Sequence, residues 1–322
     1  MTNENRYDIV VIGGGAAGLS GALTLSRARR SVLLIDGGEP RNAPAGGVHN
    51  YLGREGTAPG ELYRIGRAEI EGYGGEFRRG AVAEVTGAAG DFTVRLEDGD
   101  TVRARRILLA TGGVDELPDV PGVRERWGRD VLHCPYCHGW EVRDRAIGVL
   151  ATSTASLHHA QLFRQWSADV TLFAHTAPAL DDAQLADLAA RGVRVVEGTV
   201  AALRVVDDAV AGVELEGGVV VPVGAVVVAP KPIARVGMVA GLGLTAVEQE
   251  RGGIIAGTAL TVDPMGGTSV PGIWAAGNVA DVFATVIKSA AAGVDAAAMI
   301  NMDLVVAGVY SPVPAAEAAA AS

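Results

Sequence analysis

Both cysteines of the chain lie in one stretch, His133-Cys134-Pro135-Tyr136-Cys137-His138-Gly139-Trp140-Glu141. Two thiols spaced Cys-x-x-Cys close a small disulfide ring and open it again, and one sulfur can lower the other's pKa enough to keep a thiolate available near neutral pH. His133 and His138 flank the pair, and imidazole is the side chain that moves protons between pH 5 and 8. A dithiol/disulfide redox centre is the first expectation, with Cys134, Cys137, His138 and His133 as its catalytic residues. Two other readings compete. A structural zinc site needs four ligands, often as two pairs. Outside this stretch only His49, His158, His159 and His175 remain, with no second cysteine pair, so no metal is expected. An inert structural disulfide gains little across so short a loop.

A redox centre needs elements to hold it and a path for electrons. The chain has 322 residues, enough for two domains. Hydrophobic residues make up 49% and charged residues 20%, the balance of a soluble globular protein. Glycine is abundant at 44 residues, about twice its usual share, which points to many tight turns and close backbone approaches. The net charge of −10 argues against a general nucleic-acid partner. The N-terminal residues lack the basic start of a signal peptide. The apolar run over residues 219–229 is too short to span a bilayer and contains Pro222 and Gly224. A cytoplasmic protein without a membrane partner is expected, and two cysteines suit that reducing compartment.

Near the N-terminus, Ile9-Val10-Val11-Ile12 reads as a buried strand, residues 19–28 as a helix, and residues 31–35 as a second strand ending at Asp36. Between strand and helix stands Gly13-Gly14-Gly15-Ala16-Ala17-Gly18, a G-x-G-x-x-G motif in the context that makes it specific. Gly13 permits the tight turn, Gly15 lets backbone approach a pyrophosphate, and Gly18 lets the helix pack on the strand. The helix N-terminus then faces phosphate, and Asp36 accepts from a ribose. The motif alone fits FAD or NAD. A Gly/Pro-rich loop follows, with Glu39-Pro40-Arg41-Asn42 and His49-Asn50, and long loops in compact domains are usually functional; two readings stand, His49 and Asn50 reaching the cofactor or a plain surface loop. Residues 61–71 read as a helix. Residues 76–84, 92–97 and 101–105 read as antiparallel strands, and residues 106–110 as a buried strand entering Thr111-Gly112.

The order of these motifs resembles the thioredoxin-reductase-like branch of the flavin disulfide oxidoreductases. The glycine motif, Ala110-Thr111-Gly112, the Cys-x-x-Cys and the late Trp274-Ala275-Ala276-Gly277-Asn278 succeed one another over residues 7–302. The resemblance implies an α/β fold of two Rossmann-like three-layer domains. The FAD domain would be split (1–117 and 237–310) around a central domain (118–236) that carries the cysteines; the prolines over 118–121 and 230–236 themselves read as linkers, and the Pro- and Ala-rich stretch 311–322 as a disordered tail. It also implies a homodimer. FAD would be held by Gly13, Gly15, Ala16, Ala17, Gly18, Asp36, Asn50, Ala110, Thr111, Gly112, Gly277, Asn278 and Asp281. Asn278 departs from the family, which usually has Asp there. Lys288 stands where a Gln is usual. Cys137 would lie against the flavin, and Cys134 would be the interchange sulfur that meets substrate. His138 replaces an acid common in thioredoxin reductases and suits a base for a substrate thiol.

The second nucleotide cradle fails to match. After the strand Ile147-Gly148-Val149-Leu150, where the family has a glycine motif for NADPH, the chain reads Ala151-Thr152-Ser153-Thr154-Ala155. Each replacement adds a Cβ and removes easy access to positive φ. After the strand over residues 170–173 the family has arginines for the 2′-phosphate; here the residues are Ala174-His175-Thr176, with no guanidinium fork. Electrons would then enter through sulfur. The stretch His-Cys-Pro-Tyr-Cys-His-Gly is similar to FAD-dependent dithiol oxidases of natural-product pathways, the gliotoxin and holomycin oxidase type. That likeness implies a small-molecule dithiol substrate closed to an intramolecular disulfide, with molecular oxygen reduced to hydrogen peroxide. A thioredoxin reductase with an unusual nucleotide site is the alternative.

Overall fold

The computed structural model describes residues 6–310; the tail expected to be disordered, 311–322, lies outside them. The chain opens with β1 (Arg6–Ile12), α1 (Ala16–Arg27) and β2 (Val32–Asp36), then α2 (Pro59–Gly72), β3 (Glu76–Arg79), β4 (Val82–Ala88), β5 (Asp91–Leu96) and β6 (Thr101–Leu109). Next come β7 (Gly113–Glu116), α3 (Val123–Arg126), β8 (Val131–Leu132), α4 (Pro135–His138), β9 (Ile147–Leu150), α5 (Ala155–Phe163), β10 (Val170–Phe173), α6 (Asp182–Ala190) and β11 (Val193–Val196). The last part holds β12 (Val200–Val206), β13 (Ala209–Leu215), β14 (Val220–Val221), β15 (Ala225–Val227), β16 (Lys231–Ala234), β17 (Val247–Arg251), β18 (Ile254–Ala259), β19 (Ile273–Ala275) and α7 (Val286–Val306).

Two α/β units result. The first sheet runs β3-β2-β1-β6-β5-β4, with β19 also on β6, so strands from both ends of the chain share it. The second sheet, β11-β10-β9-β15-β8, is parallel throughout. Both Rossmann-like sheets are covered by helices on one face. Ile9, Val11 and Leu34 pack under α1 and α7, while Ile147, Val149 and Leu172 pack under Ala160 and Phe163 of α5. The opposite layer is β structure in each unit: the β4–β5 meander covers Val10 and Ile35, and the β12–β13 hairpin covers Val131 and Phe173.

Three local expectations change. Residues 76–84 do not form one strand: Gly80 turns the chain, its N–H donating to Asp36 O at 3.0 Å, so that β3 lies parallel to β2 while β4 pairs antiparallel with β5. Residues 101–109 are a single strand. Its first half pairs antiparallel with β5, and its second half runs parallel to β19. The second expected linker is no free connection, since β16 pairs antiparallel with β7 and the two crossings between units form one ribbon.

α7 is long and apolar enough to cross a membrane by length and composition, the one such helix among the described residues. Here its Gly293, Ala296, Ala297, Ile300 and Leu304 are buried, and small residues let it close on α1. A Cβ on Gly293 would stand 2.1 Å from the Ala17 carbonyl oxygen, and one on Gly21 2.5 Å from Leu108 Cδ2. Because α1 begins at the glycine motif, this crossing fixes where the motif points. Gly293→Ala is expected to destabilise the chain by about 3 kcal/mol through overpacking against backbone, read from the urea midpoint; an unchanged midpoint would mean the helices separate freely.

Candidate active site

The C-terminal ends of β1, β2 and β6 open into a cleft of about 1120 Å³, larger than most small-molecule sites. The second unit closes it with His133, Cys134, Cys137 and His138. The expected cofactor residues Gly13, Gly15, Ala16, Ala17, Asp36, Asn50, Ala110, Thr111, Gly112, Gly277 and Asn278 all lie on its wall; Gly18 and Asp281 do not.

The first cradle fits a dinucleotide. Gly13 sits at φ +108, and a Cβ there would fall 2.3 Å from the Ala110 carbonyl oxygen. Gly18 serves packing: its Cβ would meet Gly13 O at 1.8 Å. Gly15 faces open space, so only the missing Cβ leaves the backbone accessible to a pyrophosphate, and no side chain caps the first turn of α1. Gly14 N–H donates to Asp36 Oδ1 at 2.9 Å, which orients the carboxylate and leaves Oδ2 for a ribose hydroxyl. Thr111 Oγ1 donates to Arg235 O at 2.7 Å, tying this wall to the end of the crossing ribbon.

The departures from the family pattern have local explanations. Asn278 Nδ2 donates to Asp281 O and Ala284 O, both at 3.0 Å. A carboxylate, acceptor-only, would donate to neither; the Asp281 carbonyl would keep the Ala284 N–H at 3.1 Å, while the Ala284 carbonyl would lose this bond. Asp281 stands behind the wall, accepting from Phe283 N–H at 2.8 Å and pairing with Lys288 at 3.0 Å. Lys288 is thus an exposed partner of Asp281. Asn50, at φ +58, spends its amide on the Tyr136 carbonyl at 2.6 Å, so it clasps the cysteine loop from across the cleft.

Cys134 caps the one-turn α4, and the Cys137 thiol donates to Cys134 Sγ at 2.7 Å. That hydrogen bond, with the N–H groups of Cys137 and Tyr136 and the charge of Arg41, lowers Cys134 to about 7. Holding the shared proton against its neighbour's charge, in a partly buried position, pushes Cys137 up. Arg41 was readable only as a loop residue. It is fixed by a bidentate pair to Asp115 of β7, with contacts of 2.7–3.0 Å. No local pattern links residues so far apart.

The two histidines differ. Burial, helped by His159 and Arg41, pushes His133 down to about 3. Its ring stands edge-on to His159, 5.2 Å between centroids, while His158 points outward. Burial also lowers His138, partly offset by Glu141. His138 Nε2 is buried with no partner, and such an atom demands one. His138 therefore sits as a neutral base on the cleft wall, better matched to a thiol than His133.

The chain belongs to the pyridine nucleotide-disulphide oxidoreductase family, whose model matches residues 7–297. It is an FAD-dependent thiol/disulfide oxidoreductase, and the glycine cradle above is the seat its FAD requires. It is 31% identical to thioredoxin reductase sirT of Leptosphaeria maculans over 317 residues, which is 93% of this chain and 95% of the relative. To thioredoxin reductase tcpT of Claviceps purpurea it is 35% identical, over 54% of this chain and 57% of the relative. Among solved structures, HlmI superposes with a TM-score of 0.86 at 50% identity, over 94% of this chain and 93% of HlmI.

The thiol pair makes a testable contrast. A lowered pKa means thiolate persists above about pH 7, so iodoacetamide should alkylate Cys134 in the reduced protein with a midpoint near 7 instead of the usual 9. Cys137→Ala removes the donor and should move that midpoint up by about one unit or more. An unmoved midpoint would place the cause elsewhere.

Proposed function

We propose that the protein is a dithiol oxidase that closes an intramolecular disulfide in a small natural-product dithiol, of holomycin type, with molecular oxygen as the acceptor. The reading is carried by the contrast between the two nucleotide seats. At the second seat Ala151 is buried and none of residues 151–155 takes positive φ. Thr152 N–H is already bonded to Ser156 Oγ at 3.3 Å. After β10, His175 turns its Nδ1 to accept from Val200 N–H at 3.1 Å, and no arginine stands near it in the sequence. An NADPH pyrophosphate would meet side chains there.

In this reading neutral His138 takes a proton from one substrate thiol. The thiolate attacks Cys134 Sγ of the oxidised pair, the S–S bond breaks, and Cys137 leaves and takes up the proton of the second substrate thiol. The second substrate thiol displaces Cys134, closing the substrate disulfide. FAD held on the first cradle would take the two electrons of the pair and pass them to the acceptor. With oxygen the sum is one dithiol plus O2 to one disulfide plus H2O2. A homodimer in a reducing cytosol belongs to the same proposal: exposed Ile287, Val294, Met299 and Met302 on α7 offer a face for a second copy. The second reading, a thioredoxin reductase, is favoured by the names of sirT and tcpT.

Anaerobic stopped-flow decides between them. Dithiothreitol should bleach the flavin, while NADPH should do so at least about 100-fold more slowly, since one lost phosphate cradle is worth several kcal/mol. Fast bleaching by NADPH would make the protein a reductase. Cys137→Ser should stay yellow yet resist bleaching by dithiols. Because burial lowers His138, the acidic limb of kcat/KM should fall below pH 6.5. His138→Gln should remove that limb and cost roughly 100-fold at neutral pH; an unchanged profile would acquit His138.

A further inference from the structure

A base buried in a cleft must pass its proton on before the next turnover, and His138 has no exposed carboxylate bonded to it. The loop that follows the Pro40–Asn42 segment supplies a route. Val48 and Thr57 pair as an isolated bridge, with Val48 N–H donating to Thr57 O at 2.8 Å, and they pinch the loop at its base. Inside it Glu55 binds twice, to His49 Nδ1 at 2.6 Å and to Asn50 N–H at 2.9 Å. Asn50 then fastens the loop to the cysteine turn through Tyr136 O. His49 is held with its other nitrogen, Nε2, 3.5 Å from Glu141 Oε1. Its ring stands edge-on to His138, 6.5 Å between centroids. Transfer between the two rings would pass through an intervening water.

The geometry points to His49 as the exit for the proton that His138 takes from a substrate thiol: a relay from His138 through His49 to the carboxylates of Glu55 and Glu141. The titratable groups acting on His138 include Glu141, which raises it, and His49, which lowers it; the buried His133 also feels its charge. Both carboxylates reach solvent, with Glu55 66% and Glu141 42% exposed, so a proton delivered to them is released. The inference rests on the oxidase reading and completes its proton balance. The substrate brings two thiol protons. One stays on the reduced pair, shared between Cys137 and the Cys134 thiolate. The other leaves through His138 and His49 and is returned from solvent when oxygen takes up two electrons and two protons. His49 and Glu55 are positioning residues: neither needs to touch sulfur.

The FAD-loaded full chain with dithiothreitol as the probe tests this. His49→Gln should slow anaerobic flavin bleaching by about tenfold or more, make the rate depend on buffer concentration, and leave flavin content unchanged. In His49→Ala, added imidazole should restore the rate; a loop with a merely structural role would not be rescued. Histidine C2–H NMR titration gives a readout independent of turnover. His49→Gln should raise the His138 midpoint by about half a pH unit or more, the effect of one charge across 6.5 Å even at the dielectric of water. A His138 midpoint indifferent to His49→Gln, or a His49→Ala rate that imidazole leaves low, overturns the relay even in an active oxidase. A wild-type chain inert to dithiols would overturn the oxidase reading while the coupled titration still stood.

Discussion

A phosphate reaches the start of a helix only where no Cβ stands between it and the backbone N–H groups. The chain satisfies that constraint once and breaks it once. At α1 the glycines leave the backbone open, orient Asp36 through Gly14, and let α7 close behind. At α5 the same strand–turn–helix path is kept, but methyl-bearing side chains and a serine hydroxyl occupy the turn. Fold and affinity are thus separable. The sheet β11-β10-β9-β15-β8 needs only its apolar strands and the helices above them, whereas a nucleotide needs bare backbone.

The cysteine pair sits where the two units meet, and its chemistry depends on both. The second unit supplies the sulfurs and the short turn that caps them. The first supplies Arg41, held by Asp115, and the loop of His49, Asn50 and Glu55 that grips the turn from the far side. A thiolate at Cys134 is stabilised by its neighbour's thiol, by two backbone N–H groups and by a fixed positive charge. Each is a local dipole or charge placed before substrate arrives, which is how an enzyme avoids reorganising solvent during reaction. The ribbon of β7 and β16 and the Thr111–Arg235 bond keep the two sets of groups in register.

Much of this was legible in the order of residues. Ile9 to Ile12 is a buried run that ends in glycine, and its helix and second strand follow at fixed spacing, so β1, α1 and β2 were readable from local pattern. The Cys-x-x-Cys announced itself, and the absent second glycine motif needed only a comparison of two turns. What escaped was everything made by long-range register. Arg41 meets Asp115, His49 meets His138, and Gly293 meets Ala17, each across stretches whose separation carries no periodicity. Asn278 looked like a defect in a flavin motif because its two donated hydrogen bonds run to carbonyls that only the folded turn brings together. The ribbon of β7 and β16 hid behind prolines that read as a linker, although β16 tolerates Pro232 within a two-stranded pairing.

The central claim is that one nucleotide seat is open and the other filled. Calorimetric titration of NADPH into the FAD-loaded chain tests it most directly. The blocked turn over residues 151–155 predicts no saturable heat up to about 1 mM nucleotide. A single site saturating in the low micromolar range, lost when the turn is altered, would contradict it.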